Sequence, residues 1–147
     1  MPFQPRDPHY DSRVRASFAR QAAMRTLGVT LERISPGEVD LALAFRQDLT
    51  QQHGFLHAGV ITAAVDSACG YAALTLMDPG VAVLSVEFKV QLLAPARGAR
   101  FLALGRVVRA GRTLTVVSGE LRTDADEVVA LLNGTMMAVR DRPDLSD

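Results

Sequence analysis

Between Ala58 and Met77 the chain is apolar or small throughout, with one exception: a single carboxylate, Asp66. The absence of a two-residue alternation there predicts one long helix, ended by Asp78-Pro79-Gly80. Elsewhere the period is two. Leu84, Val86, Phe88, Val90 and Leu92 alternate with Ser85, Glu87, Lys89 and Gln91, which predicts a strand with one apolar face, closed by Pro95. The segments ARFLALGRVVRA, RTLTVVSGELRT and EVVALLNGTMMAVR follow as strands of an antiparallel meander, with turns at Ala110-Gly111 and Asp124-Ala125-Asp126. Upstream, Val39, Leu41, Leu43 and Phe45 alternate with Asp40, Ala42 and Ala44, and VTLERI before Pro36-Gly37 reads as the hairpin partner. Val14, Phe18 and Met24 give an apolar side to a helix capped by Asp11 or Ser12 and running to about Leu27.

Residues 1–10 read as an irregular lead-in and residues 141–147 as a flexible tail. The order is helix, two strands, long central helix, four strands: an α+β pattern in a single domain over 1–147, with an antiparallel sheet that needs a cover. The central helix is the one element apolar enough to supply it.

Charge narrows the function. Sixteen basic and sixteen acidic residues cancel, so no net field attracts nucleic acid or an anionic membrane surface. A membrane span over residues 58–77 has the right length, but a mid-span aspartate costs about 2.5–3.5 kcal/mol and the many alanines and glycines lower the hydrophobicity. The N-terminus has no apolar leader segment, which points to the cytoplasm, and the lone Cys69 reads as a small buried thiol.

On a helix, Asp66 shares its face with Gly59, Thr62, Ala63, Cys69, Gly70 and Ala73, all small. Such a face lets a ligand or a second chain come close. Asp66 is then either a solvated carboxylate or a general base or nucleophile in a partly dry site. Before it, His53, Gly54, His57, Ala58 and Gly59 stand at the helix start, where free N–H groups and the positive end of the dipole suit an oxyanion. His57 also reads as an N-cap or packed residue, and His53 as a loop residue. Neither a G-x-S-x-G elbow nor a phosphate-cradling glycine loop is present, and His9, His53 and His57 do not form a metal set with Cys69.

HAGVITAAVD, with an acid nine positions after its histidine, resembles the H-G-G-x(6)-D signature of hotdog-fold acyl-CoA thioesterases of the phenylacetate-degradation (PaaI-like) type. QQHG, VLSVEFKVQLLAPA, GRVVRAGRTLTVVSGEL and VALLNGT match the same family in order, so the resemblance spans about residues 35–139. It implies a sheet wrapped around the central helix, two chains joined into one continuous sheet as a homodimer or dimer of dimers, and sites at the interface. It assigns Asp66 as base or nucleophile, the Ala58 N–H as oxyanion donor, and Ser85 as the hydroxyl that orients Asp66. His57 and Gly59 then shape the loop, and Gln51 takes the place of an asparagine near the carbonyl. No cofactor or metal is implied.

Two departures stand out. Ala58 replaces the motif's first glycine, and its methyl would be strained at positive φ; Gln51 is longer than asparagine, and Gln52 stands ready beside it. Arg109 and Arg112, flanking the Ala110-Gly111 turn, are candidate contacts for CoA phosphates, or simply a solvated hairpin tip. The competing functions are a hotdog hydratase or dehydratase, which would want a histidine working with the acid, and a non-catalytic acyl-CoA-binding module.

Overall fold

The computed structural model describes residues 2–147. Helices α1 (Tyr10–Arg20) and α2 (Ala22–Leu27) precede strands β1 (Val29–Ser35) and β2 (Glu38–Ala44); a 3-10 turn (Gln47–Leu49) leads to helix α3 (Ala58–Leu74), and β3 (Ala82–Leu92), β4 (Arg100–Ala110), β5 (Leu114–Thr123) and β6 (Val128–Val139) follow. All six strands form one antiparallel sheet in the order β1-β2-β4-β5-β6-β3. The meander β4-β5-β6 stands as expected. β3, which follows α3 in the chain, lies at the far edge of the sheet, where it pairs with β6.

The sheet curls around α3. Val39, Leu41 and Leu43 of β2, Phe101 and Ala103 of β4, Val117 and Leu121 of β5, and Leu132 and Met136 of β6 are buried on the concave face against Ala64, Val65 and Ala68. Two glycines set how close the helix comes. A Cβ on Gly105 would lie 2.3 Å from the Ala68 carbonyl, and one on Gly119 would lie 2.6 Å from Cys69 Sγ. These two glycines face each other across β4 and β5, so together they form the floor on which α3 rests. Gly105→Ala must push the helix off that floor. The expected cost is about 2 kcal/mol or more, read as a fall in Tm of roughly 5 °C or more.

The N-terminal helix differs from its sequence pattern. It is two helices, broken at Gln21 (φ −77°, ψ 96°), and it starts at Tyr10 with His9 as an N-cap that makes no side-chain cap bond. Asp11 instead pairs with Arg15 at 2.7 Å, and the Ser12 hydroxyl donates to the His9 carbonyl. The apolar periodicity ran through Gln21 because no glycine or proline marks the break. Tertiary packing imposes it: the Phe18 ring meets the edge of Tyr71 on α3 at 5.8 Å, whereas Met24 is buried on the side of α2 that packs on β1. From the first turn of α1, Arg13 donates to Asp7 and to the carbonyls of Met77, Asp78 and Val81, pinning the start of the chain to the turn after α3.

Helix α3 ends at Leu74, three residues before the expected stop. Thr75 Oγ1 donates to the Ala72 carbonyl and accepts from the Gly37 N–H at 2.7 Å, so the hairpin β1-β2 holds the helix end. Phe45 lies past the end of β2 and is 38 % exposed rather than part of its buried face. On β3 a bulge between Ser85 and Glu87 switches the alternation. Ser85 pairs with buried Met136 and faces α3, while Leu84 and Val86 turn outward; beyond the bulge Phe88, Val90 and Leu92 face inward. No helix among the described residues is long and apolar enough to cross a membrane.

Candidate active site

Asp66 sits on α3 where the helix passes under the edge strand β3. The Ser85 hydroxyl donates to Asp66 Oδ1 at 2.7 Å. The β3 bulge makes this contact possible, since in a regular strand Ser85 and Phe88, three positions apart, would lie on opposite faces, and an inward Phe88 would turn Ser85 away from α3. Burial pushes the Asp66 carboxyl above the usual aspartate range, and the Ser85 hydrogen bond pulls it partly back. Removing the hydroxyl leaves burial unopposed. Ser85→Ala should therefore move the acid limb of the pH–rate profile to higher pH, and an unmoved or lowered limb would exclude a hydrogen bond to the ionised acid.

Asp66, Ser85, Gln21, Ser67, Gly70 and Tyr71 line a cavity of about 110 Å³. Its outer wall comes from Val83 and Asp147. Asp147 is held there: its carboxylate accepts from the Val83 N–H at 2.7 Å and from the Ser17 hydroxyl at 3.1 Å, while Arg20 donates to the Ser146 carbonyl.

The helix start is built differently. His57 is the N-cap (φ −63°, ψ 139°), and its Nδ1 accepts from the Gly59 N–H at 2.8 Å. That bond fixes Nδ1 as an acceptor and turns the ring back on the loop. A Cβ on Gly59 would lie 3.1 Å from Nδ1, so the glycine makes room for the cap. Val60 and Ile61 donate to the His57 carbonyl, and the Ala58 N–H, the first of the helix, has no partner among the described residues. Positive φ at non-glycine residues occurs only at Asp126 and Asp141 among the described residues. The Ala58 methyl is thus free of the strain that a left-handed position would bring.

Gln51 turns its oxygen inward. Oε1 accepts from the N–H groups of His53 (2.5 Å) and Phe55 (3.4 Å), and the Gln51 N–H donates to the Phe55 carbonyl, so this residue ties its own loop. Gln52 and His53 are exposed. Gln51, Phe55, Ala58 and Ile61 line a second cavity of about 420 Å³, closed on its other side by Leu92–Ala96. Beside it the Arg97 guanidinium stacks over the Phe55 ring at 4.5 Å from the centroid.

The remaining sequence candidates lie apart. Arg109 pairs with Val116 on the face of the sheet away from α3, and exposed Arg112 occupies the β4-β5 turn. Cys69 is buried and its thiol is pushed up to about 12, so it offers no thiolate. Asp66 and Ala58 are themselves well separated: eight positions along a helix is about 12 Å. Gln21, Ser67, Tyr71, Arg97 and Asp147 were not singled out by the sequence. Ser67 and Tyr71 lie on α3 with Asp66, whereas Gln21 and Asp147 reach its cavity through the helix break and the tail, and Arg97 comes beside the second cavity from a loop.

A six-stranded antiparallel sheet curled around one long helix, with an acid on that helix and a bare N–H at its start, is the hotdog architecture. Residues 53–130 match the model of the thioesterase superfamily. A thioesterase family protein from Silicibacter pomeroyi is 48 % identical, with 88 % of this chain and 98 % of that chain aligned at a TM-score of 0.86. The PaaI protein of the Escherichia coli phenylacetic acid degradation operon shares the fold at a TM-score of 0.82 and 19 % identity, over 88 % of this chain and 93 % of that one. The medium/long-chain acyl-CoA thioesterase YigI of Escherichia coli is 27 % identical over 77 % of this chain and 83 % of its own length. The chain belongs to the thioesterase superfamily and is a thioester hydrolase.

Proposed function

We propose that the protein hydrolyses acyl-CoA thioesters in a site shared by two copies of the chain, with Asp66 from one and the Ala58 N–H from the other. One observation carries this reading. The base and the unpaired donor lie about 12 Å apart in a single chain, too far to act on one carbonyl, whose attacking group must come within roughly 3–3.5 Å. The edge strand supplies the way to bring them together. Ser85 and Asp66 mark one end of β3, while Leu92 and Ala58 mark the other. Pairing two β3 edges antiparallel about their middle lays the Leu92 end of one chain on the Ser85 end of the other, carrying an Ala58 N–H to each Asp66. The exposed Leu84, Val86, Phe88 and Leu92 would gain cover in such an assembly, as a homodimer or within a dimer of dimers.

In this site Asp66 takes a proton from water as it attacks the carbonyl carbon, or attacks that carbon itself. The oxyanion formed is held by the Ala58 N–H and the positive end of α3. Collapse of the tetrahedral species breaks the C–S bond; CoA leaves as a thiolate, and water supplies the oxygen of the free acid. A thiolate is a good leaving group, so one carboxylate and one donor suffice without a triad. Ser85 orients the acid, His57 holds the loop, and Gln51 reaches the second cavity with its amide.

CoA's pantetheine arm suits the larger apolar cavity, with Arg97 at its side for a phosphate. Arg109 and Arg112 are the other phosphate candidates, placed at the hairpin tip. Arg97→Ala and the double change Arg109→Ala/Arg112→Ala separate the two: loss of the arginine that holds phosphate raises the acyl-CoA KM several-fold, and an unchanged KM removes the substituted residues from the site.

Thiol release from a panel of acyl-CoAs tests the function. Stoichiometric free thiol and acid are expected. Tight binding without thiol would make the protein an acyl-CoA-binding module, and a hydrated or dehydrated product still joined to CoA would make it a hydratase or dehydratase. The latter chemistry wants a histidine beside the acid, and α3 has none.

A further inference from the structure

The cavity at Asp66 differs from the one at Ala58 in size, closure and chemistry. It holds about 110 Å³ against about 420 Å³. A cavity of roughly 150 Å³ accommodates benzene, six carbons, so this one takes about four heavy atoms. Its depth comes from Gly70, one helical turn beyond Asp66, where an added Cβ would meet nothing within 4 Å.

Its far wall is polar. The break at Gln21 lays that side chain over α3, where Oε1 accepts from the Ser67 hydroxyl at 3.2 Å; the Nε2 donor has no partner among the described residues. Tyr71 Oη and Ser17 Oγ are 3.2 Å apart, and Ser17 in turn donates to Asp147. The wall thus presents an amide donor and a carboxylate acceptor. A hydroxyl satisfies both, an alkyl end satisfies neither, and a second carboxylate faces repulsion from Asp66 and Asp147.

We propose that this cavity receives the acyl group and selects short chains, about four heavy atoms beyond the thioester carbonyl, that end in a neutral hydrogen-bonding group such as a hydroxyl. Gly70 sets the length, and Gln21 with Ser67 reads the end. The inference rests on the acyl-CoA hydrolase reading, because Asp66 at the cavity mouth decides which substituent of the carbonyl enters. The CoA arm, which must reach solvent, takes the larger cavity.

The test compares kcat/KM for acetyl-, butyryl-, 4-hydroxybutyryl-, succinyl- and decanoyl-CoA. The expected order places 4-hydroxybutyryl first, about tenfold above butyryl, a ratio set by one or two hydrogen bonds, with succinyl and decanoyl far below. Gln21→Met keeps the length but removes the amide, and should bring the 4-hydroxybutyryl to butyryl ratio to about one. Gly70→Val fills the depth and should lower the butyryl to acetyl ratio at least about tenfold, with circular dichroism confirming that the variant is folded. Decanoyl-CoA as the best substrate, or ratios untouched by both variants, would overturn the acyl-pocket assignment while leaving hydrolysis standing. Absence of thiol release from every thioester would overturn the hydrolase reading itself.

Discussion

Asp66→Asn is expected to lower kcat by at least about 100-fold, the lower end for loss of a general base, while the variant melts at a higher temperature than the wild type at pH 8. The two effects have one cause. Asp66 is buried enough that its carboxyl is pushed above the usual aspartate range, so the folded state binds a proton more tightly than the unfolded chain does. Stability then falls as pH rises from the usual aspartate range through the raised folded value, and above it the full cost of the buried charge is present. Asparagine keeps the shape and still accepts from Ser85, but carries no charge to desolvate. The gain in Tm should therefore shrink as pH falls and vanish where the wild-type acid is protonated. An Asp66→Asn protein with wild-type turnover would remove the residue from the mechanism. One that melts lower at pH 8 than at pH 5, relative to wild type, would show that the carboxylate is stabilised by a partner rather than strained by burial.

Mixing two inactive variants should restore roughly a quarter of wild-type activity. Ala58→Pro deletes the proposed oxyanion donor, and the fold accommodates it. Ala58 is the first helical residue, where proline is favoured, and its N–H makes no hydrogen bond among the described residues. His57, the residue before it, already has the extended conformation (ψ 139°) that a following proline demands. Ala58→Pro alone should fall about 100-fold or more in kcat, the loss seen when one oxyanion donor is removed. Co-refolded with Asp66→Asn, it forms mixed dimers in which one site has an intact acid facing an intact N–H and the other has neither. Random pairing makes about half the dimers mixed, and each carries one of two sites, hence a quarter. Mass spectrometry establishes that mixed dimers are present. Activity no higher than that of the separate variants would place the site within one chain or take the oxyanion role from Ala58.

Local patterns made much of this molecule readable. Alternation over β2 and β4–β6 located strands because each has one face on a helix and one away from it, and side chains of a strand simply alternate between the two. The run from Ala58 identified α3 because a helix enclosed by a sheet is apolar nearly all round. Asp66 could be picked out as the one charge in that run, and Ser85 only through a family resemblance, since its own strand pattern placed it on the polar face.

Tertiary structure decided the rest. The β3 bulge turned Ser85 inward, because pairing with β6 leaves one residue of β3 unmatched, and no residue type announces that. Packing of α1 on Tyr71 and of α2 on β1 broke the first helix at Gln21 and delivered a side chain to the Asp66 cavity from 45 positions upstream. The raised pKa of Asp66 arises from its burial, and the Ala58 N–H is free because it is the first of the helix and the His57 ring accepts from Gly59 rather than from it. The sequence by itself determined the strands, the central helix and which carboxylate stands out, since propensity and periodicity act over a few neighbours. Which groups meet depends on contacts between elements distant in the chain, where the burial of whole faces outweighs any local preference.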